Sequence, residues 1–254
     1  MKLKYLVGSI CFSILLLAGC GDKDEVEPGS TNHKQAVGVS SNDYLSGEKY
    51  TSLNIEVQYA SGFAPSSNTL NNLKGFLESI LNKPEGIQIT TKEISIEAKE
   101  KYTIEEIREI EDDNRTSFTS DNAISAYFLF LGGGYSEDTE DSKVLGVAHR
   151  NTSMAIFQKT IQDNSGGIGK PSTSLLTSTV TEHEFGHILG LVNAGSDMVN
   201  QHQDTDHGRH CDDTDCLMYW AVETGQSVDN LLGMSSPPPL DANCLLDLQA
   251  NGGK

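Results

Sequence analysis

Two histidines and a glutamate in the segment from Thr181 to Leu191 have the residue types and spacing of a hydrolytic metal site. The segment contains His183, Glu184 and, four residues after the first histidine, His187. Residues four apart lie on one face of a helix, so both imidazoles can reach a single zinc ion. Zinc lowers the pKa of a bound water towards neutrality, and the adjacent Glu184 can take a proton from that water as general base. The pattern therefore predicts metal-assisted hydrolysis.

Further features of the sequence support a metal site at this pattern. Gly190 follows His187 by three residues and would allow the helix to end in a left-handed turn. Five of the seven histidines fall between His183 and His210, a clustering that is hard to explain as core or surface residues. Met218 follows downstream and is either a specific packing element or an ordinary core residue.

This arrangement resembles the metzincin clan of zinc proteases, whose pattern is H-E-x-x-H-x-x-G-x-x-H/D followed by a methionine-containing turn. The match is incomplete, because the position of the usual third ligand holds Asn193, whose amide oxygen is a weak zinc donor. The chain also contains His210-Cys211, four residues, Cys216, one residue and Met218. That series is similar to archaemetzincins, in which the third histidine directly precedes a cysteine. Here an insertion, Ala194 to Arg209, displaces it from the helix.

The resemblance implies a zinc ion held by His183, His187 and a third ligand, for which His210 is the first choice. The alternatives for the third position are, in order, His202, His207 and Asn193. The remaining histidines would otherwise be exposed loop residues or part of a second, non-catalytic metal site with Asp204 and Asp206. Met218 would pack beneath the zinc in the turn of the family.

The cysteines give an expectation of their own. Of five cysteines, Cys11 lies in the N-terminal apolar run and Cys20 at its end, which leaves Cys211, Cys216 and Cys244. Cys211 and Cys216 are close enough in sequence to form a disulfide that closes a small loop. Archaemetzincins carry a downstream cysteine pair for a second zinc, but this chain offers only Cys244. The resemblance therefore gives that second zinc little support and favours the disulfide.

The N-terminus has the order of a bacterial export signal. Lys2 and Lys4 precede an apolar run to Leu17, which ends in Leu17-Ala18-Gly19-Cys20. The run is shorter than the roughly 20 residues of a membrane span, and its end resembles the lipobox of bacterial lipoproteins, in which Cys20 would carry the lipid. We expect a signal peptide at 1–19, a lipidated flexible linker at 20–50 and one catalytic domain at 51–254.

The charge balance limits the classes of partner. The formal net charge of −18 becomes −20 when residues 1–19 are removed, because that segment contains two lysines and no acid. A strongly acidic protein is a poor binder of nucleic acid. We expect a peptide or protein substrate, a membrane contact through the lipid, and a monomer. The expected location is the bacterial cell envelope, on the periplasmic or the outer side of the outer membrane.

The elements that position these residues follow from hydrophobic periodicity. Strands are predicted at 52–59, 86–90, 94–96, 126–131, 144–148 and 153–157, and helices at 70–81, at 103–111, around the H-E-x-x-H pattern and at 240–249. Such a mixture predicts an α+β fold. The resemblance implies a mixed twisted sheet with backing helices and an active-site helix. In that fold the edge strand above the cleft would be Val144 to Arg150, which could bind an extended peptide.

Three functional hypotheses follow. The first is zinc-dependent hydrolysis of peptide bonds, as an endopeptidase or an aminopeptidase-like enzyme, with Glu184 as general base. The second is a non-catalytic surface-binding lipoprotein with a degenerate protease fold, which Asn193 and the long insertion favour. The third is a different zinc hydrolase whose downstream ligand is Glu223, although Gly190 and Met218 argue against it.

Overall fold

The computed structural model describes residues 33–224 and 231–254. The predicted signal peptide, the lipid attachment site Cys20 and the first part of the predicted linker lie outside these residues. Within the described residues, no helix combines the length and the apolar character that crossing a membrane requires.

The core of the molecule is a five-stranded mixed sheet. In chain order the strands are β1 (Ser52–Tyr59), β2 (Gly86–Glu93), β3 (Lys101–Tyr102), β4 (Ala123–Phe130), β5 (Gly134–Tyr135), β6 (Gly146–Arg150) and β7 (Ser153–Ile156). The large sheet has the order β2-β1-β4-β7-β6, and β3 pairs with β5 separately. All pairs in the large sheet are parallel except β6 with β7, so β6 is an antiparallel strand at the sheet edge.

Six helices and one 3₁₀ turn complete the described structure. The helices are α1 (Ser41–Leu45), α2 (Ser67–Ile80), α3 (Ile104–Asn114), α4 (Gln158–Asp163), α5 (Thr173–Ile188) and α6 (Ala242–Ala250), and the 3₁₀ turn is Trp220–Val222. Helices α2 and α5 pack against one another, and α5 also contacts β6 and β7. The helix with the H-E-x-x-H pattern is therefore fixed against the edge of the sheet.

The central strand β4 is buried on both faces. Phe128 and Phe130 belong to the cluster that contains α2 and α5, whereas Tyr127 and Leu129 belong to a second cluster with Ile107 of α3. Side chains alternate between the two faces of a strand, so helices on both sides leave no polar face. This arrangement explains why the sequence of β4 is a continuous apolar run.

Most of the predicted elements are confirmed. The predicted strands other than 94–96 correspond to β1, β2, β4, β6 and β7, and the predicted helices to α2, α3, α5 and α6. A capping box begins α3, because Thr103 and Glu106 each accept a hydrogen bond from the backbone of the other. The strand predicted at 94–96 is wrong. Ile94 N donates to Tyr59 O at the end of β1, and beyond it the chain leaves the sheet.

The predicted linker, 20–50, extends too far towards the C-terminus. Tyr44, Leu45 and Tyr50 are buried in the main core, and α1 lies within this range. The Nζ of Lys83 also donates to three backbone carbonyls of the segment, those of Asp43, Ser46 and Tyr50. Few apolar residues suffice here because each is large and completely buried, so the domain begins before residue 51.

Candidate metal centre

Helix α5 carries His183 and His187 on one face. Its N-terminus is capped by Ser172, which accepts a hydrogen bond from Leu175 N, and from Leu175 onward every residue of the helix is buried. The two Nε2 atoms lie 3.1 Å apart. His183 Nδ1 lies 2.7 Å from the carbonyl of Leu217 and donates to it, so its Nε2 presents a lone pair.

The end of α5 follows the predicted left-handed turn. Helix α5 ends at Ile188, and Gly190 has φ +72°. A Cβ on Gly190 would lie 2.6 Å from the backbone nitrogen of Ser196, so the close return of the chain also requires glycine there. Val192 and Asn193 also have positive φ. Asn193 therefore belongs to the turn and is not in the group of candidate ligands.

The insertion 194–209 brings a third histidine to the helix. His210 O accepts from Asp204 N, and Cys211 N donates to Met218 O, so the chain around His210 is held between the insertion and the turn that follows. The ring centroid of His210 lies 5.3 Å from that of His183 and 5.1 Å from that of His187. His210, the first choice from sequence, is thus the histidine that the structure places beside the pair.

A carboxylate completes this group. Glu223 Oε2 lies 3.0 Å from His210 Nε2, and one ligand atom from each of four residues, namely His183, His187, His210 and Glu223, lies within 4.8 Å of the others. Sequence analysis considered Glu223 only as a ligand of a different enzyme class. The structure places it together with His210 instead.

Glu184 lies beside the group but points to the sheet edge. Its Oε2 accepts from Ala148 N of β6 at 2.7 Å, whereas Oε1 is buried without a hydrogen-bond partner among the described residues. Gly146 makes room for this carboxylate, because a Cβ there would lie 2.9 Å from Glu184 Oε1. Sequence analysis missed Gly146, although a glycine inside a strand indicates close approach of another group.

Met218 packs directly beneath the histidine helix. A Cβ added to Gly186 would lie 2.3 Å from Met218 Sδ. Gly186 is therefore the position at which the helix and the methionine turn approach most closely. Sequence analysis singled out Met218 but missed Gly186, although a glycine in a helix interior signals a packing reason.

The electrostatics of the group favour neutral imidazoles. Burial, reinforced by the charge of His210, lowers the pKa of His183 to about 4, and burial also holds the pKa of His187 well below its usual range. Burial raises the pKa of Glu184, and the neighbouring Glu223 raises it further. The pKa of Glu223 is lowered in spite of its burial, because His210 hydrogen-bonds to it. Unprotonated imidazoles are the form that binds metal.

These residues fit a zinc ion. Imidazole nitrogens and carboxylate oxygens are zinc ligands, and the hydrogen bond from His183 to Leu217 O is the kind of outer contact that orients a ligating ring. The Nε2 atoms of His183 and His187 lie 3.1 Å apart, and that of His183 carries a lone pair and no proton. This arrangement is consistent with a cation that both nitrogens bind.

The other two candidate histidines lie elsewhere. His207 is partly exposed, stacks on Trp220 with ring centroids 4.1 Å apart, and pairs with Asp204. His202 is buried, and its Nε2 lies 2.8 Å from Asp247 Oδ2 of α6. Among the described residues, neither histidine forms a metal-binding group with Asp204 and Asp206.

His202 instead joins a second group that can bind metal. Its Nδ1 lies 3.4 Å from Cys211 Sγ and 4.0 Å from Cys244 Sγ. Ligand atoms of His202, Cys211, Asp241 and Cys244 all lie within 4.8 Å of one another. Cys216 Sγ lies 3.7 Å from Cys244 Sγ, so three sulfurs and one imidazole converge. This role of His202 was not predictable from the sequence, because Asp241 and Cys244 lie far along the chain and no spacing links them to His202.

The thiols themselves argue against the predicted disulfide. Cys211, Cys216 and Cys244 are all free and buried. Hydrogen bonds from Cys216 and Cys244 lower the pKa of Cys211, and the backbone N–H groups of Met218 and Asp241 point at Cys216 Sγ. Cys244 thus lies beside Cys211 and Cys216. A disulfide between Cys211 and Cys216 would not account for the position of Cys244.

A cleft lies above the first group. A cavity of about 280 Å³ is lined by residues of β6, of α5 and of the loop after it, among them Ala148, Glu184, His187, His210 and Glu223. The predicted edge strand thus borders the site, as expected from sequence.

Comparisons by sequence find no matching family model and no matching curated protein. Among solved structures, the chain is similar to an archaemetzincin from Methanopyrus kandleri, with a TM-score of 0.54 and 14% identity over 79% of this chain and 96% of that one. It is also similar to a zinc-dependent peptidase from Methanocorpusculum labreanum, with a TM-score of 0.48 and 14% identity over 76% of this chain and 99% of that one. The chain has an archaemetzincin-type fold. At this identity the likeness shows the fold and not the activity.

Proposed function

We propose that this protein is a zinc-dependent peptidase that hydrolyses peptide bonds at the site formed by α5 and the loop after it. The observation that carries the proposal is the convergence of His183, His187 and His210 beside the buried Glu184. The archaemetzincin-type fold supports it. Zinc held by the three imidazoles would supply a Lewis acid that polarises the scissile carbonyl and acidifies water.

Glu184 is proposed as the general base. Burial raises the affinity of its carboxylate for a proton, and Oε1 has no hydrogen-bond partner among the described residues and is therefore available to a water. The bond from Ala148 N holds the other oxygen, so the carboxylate is oriented before substrate binds.

The edge strand β6 is proposed to bind the substrate. Among the described strands it pairs with β7 alone and borders the cleft, so a peptide in extended conformation could add to its other edge, where Ala148 N is already bonded to Glu184. Main-chain hydrogen bonds of this kind position the substrate backbone independently of the substrate's side chains.

A second zinc is proposed at the group formed by His202 and the three cysteines. The family resemblance gave this site little support, because the chain offers only one cysteine of the downstream pair. His202, from the insertion, lies where a fourth ligand is needed. Asp247 accepts from its Nε2 and would orient the ring. Three thiolates and one imidazole are a typical ligand set for structural zinc.

The proposed place of action is outside the cytoplasm, through export and lipidation at Cys20. That proposal rests on residues 1–20 of the sequence alone. Lipidation is tested by metabolic labelling with a fatty-acid analogue, with Cys20→Ser as the variant.

The activity is tested with the zinc-loaded protein on a library of extended peptides, with products read by mass spectrometry. Glu184→Gln should lower kcat/KM by about 10²–10⁴ with zinc content unchanged. Glu182→Gln is the matched control, because Glu182 is the neighbouring buried glutamate outside the ligand group, and it should remain active. An uncut library, with zinc bound, would favour a non-catalytic surface-binding protein instead.

A further inference from the structure

Glu223 lies inside the group of candidate ligands, although the metzincin pattern contains no glutamate ligand at this position. We propose that Glu223 is a fourth protein ligand of the metal in the resting enzyme and that an incoming peptide displaces it. The inference rests on the proposed function, since it concerns the same metal.

The distances suit a fourth ligand. Zinc bonds of about 2.0–2.1 Å in a tetrahedral arrangement separate neighbouring ligand atoms by roughly 3.3 Å. The two Nε2 atoms of His183 and His187 are 3.1 Å apart, and Glu223 Oε2 is 3.0 Å from His210 Nε2. The four ligand atoms lie within 4.8 Å of one another, so small side-chain shifts would bring them to the distances that one zinc ion requires.

The contacts of His210 leave room for one positive species between its Nε2 and Glu223, either a proton on a charged imidazole or a metal ion. His210 Nδ1 lies 3.2 Å from the carbonyl of His207, so it donates its proton there. A neutral His210 then presents a lone pair at Nε2 to a carboxylate oxygen 3.0 Å away. Two acceptors at this distance repel unless a proton or a metal lies between them. His183 Nε2 likewise presents a lone pair, 3.1 Å from His187 Nε2, so one cation could satisfy the acceptors of both pairs.

The backbone aims this carboxylate at the site. Glu223 follows the 3₁₀ turn that begins two residues after Met218, and its N–H donates to Trp220 O. Its own carbonyl accepts from the N–H of Leu145, a fully buried residue just before β6. The side chain is only 26% exposed, and among the described residues His210 is the only basic group within 4.0 Å of it. A partly buried carboxylate with a single imidazole as its basic partner is well placed to pair with a cation.

A fourth protein ligand changes how the enzyme works. Catalytic zinc sites keep a position open for water or substrate, whereas closed sites are structural. With Glu223 bound, the position is filled, and a peptide carbonyl or a water must replace the carboxylate before Glu184 can act. Substrate binding then opens the site, and the free enzyme is less reactive towards other metal-seeking ligands.

The test measures binding of acetohydroxamate, which chelates an accessible zinc, by isothermal titration calorimetry on the zinc-loaded full-length protein. The variants are Glu223→Gln, which removes the charge, and Glu223→Asp, which keeps the charge but withdraws the carboxylate by one methylene. Zinc content of each variant is measured in parallel. Both variants should retain zinc and bind acetohydroxamate about tenfold or more tightly than the wild type.

Other outcomes would overturn the inference. Tighter acetohydroxamate binding in Glu223→Gln alone would show an effect of charge without ligation. Unchanged acetohydroxamate binding in both variants would show that Glu223 is not a ligand of the metal. Loss of zinc from Glu223→Gln would show that zinc binding depends on Glu223, which a ligand displaced by substrate does not allow. Failure of the proposed function looks different: zinc and the acetohydroxamate response would be present, but no peptide would be cut.

Discussion

At the scale of single residues, the sequence is most informative where the chemistry is local. The positions of His183, Glu184 and His187 follow from helical periodicity, since residues four apart share a face. His210 could be ranked first but not separated from His202 and His207, because a loop brings it to the helix and loops have no period. The structure separates them: one histidine joins the helix pair, one joins the cysteines, and one stacks on Trp220.

The contact between Gly186 and Met218 gives a prediction at this scale. Gly186→Ala places a methyl group against Met218 Sδ and should lower the free energy of unfolding by about 1–3 kcal/mol, as overpacking does. The measurement is urea denaturation of the zinc-loaded protein.

Gly75→Ala in α2 is the matched control. Apart from the backbone of its own helix and its chain neighbours, no atom lies within 4 Å of where its Cβ would be. Alanine should therefore raise stability by about 0.5–1 kcal/mol through helix propensity. Equal stabilisation by both substitutions would contradict the close packing of the methionine turn.

At the scale of elements, strands and helices with strong periodicity were predictable, and their ends were less so. The alternation around Ile94 predicts a strand, but no neighbouring strand is available beyond the hydrogen bond to Tyr59 O. The segment from residue 33 to 50 predicts a linker by composition, yet Tyr44 and Tyr50 are buried in the core. Composition averages over a segment, whereas packing depends on a few large side chains.

A pH dependence follows from the junction of β6 with α3. His149 is buried, neither ring nitrogen has a hydrogen-bond partner among the described residues, and Glu111 Oε2 is 3.8 Å away. Burial is the largest cause that lowers the pKa of His149 to about 3, and the charges of Arg150, Arg108 and Arg115 contribute to this value against the opposing charge of Asp112.

The sign follows from linkage. The pKa of His149 is lower in the folded protein than in the unfolded chain, so its stabilisation is complete above pH 6.5 and is lost as the pH falls towards 3. His149→Leu should reduce the slope of unfolding free energy against pH in this window by up to about 1.4 kcal/mol per pH unit. Urea denaturation at several pH values measures the difference from wild type, and parallel curves would contradict the assignment.

At the scale of the whole molecule, the two candidate metal groups share one loop. Cys211 of the second group directly follows His210 of the first, and the insertion supplies His202. The overall fold class was predictable from the order of elements and the resemblance. The second group was not, because its four residues are spread between positions 202 and 244 and no periodicity links them.

Zinc content is the most direct test of the central claim, that the histidines of α5 hold a catalytic metal. Zinc is measured by elemental analysis after dialysis against a mild chelator, with circular dichroism as the check of folding. The account predicts two zinc ions per chain in the wild type, and one in both His183→Ala/His187→Ala and Cys216→Ser/Cys244→Ser. Peptide hydrolysis should be lost in the histidine double variant. A folded histidine double variant that keeps the full zinc content of the wild type would contradict the account.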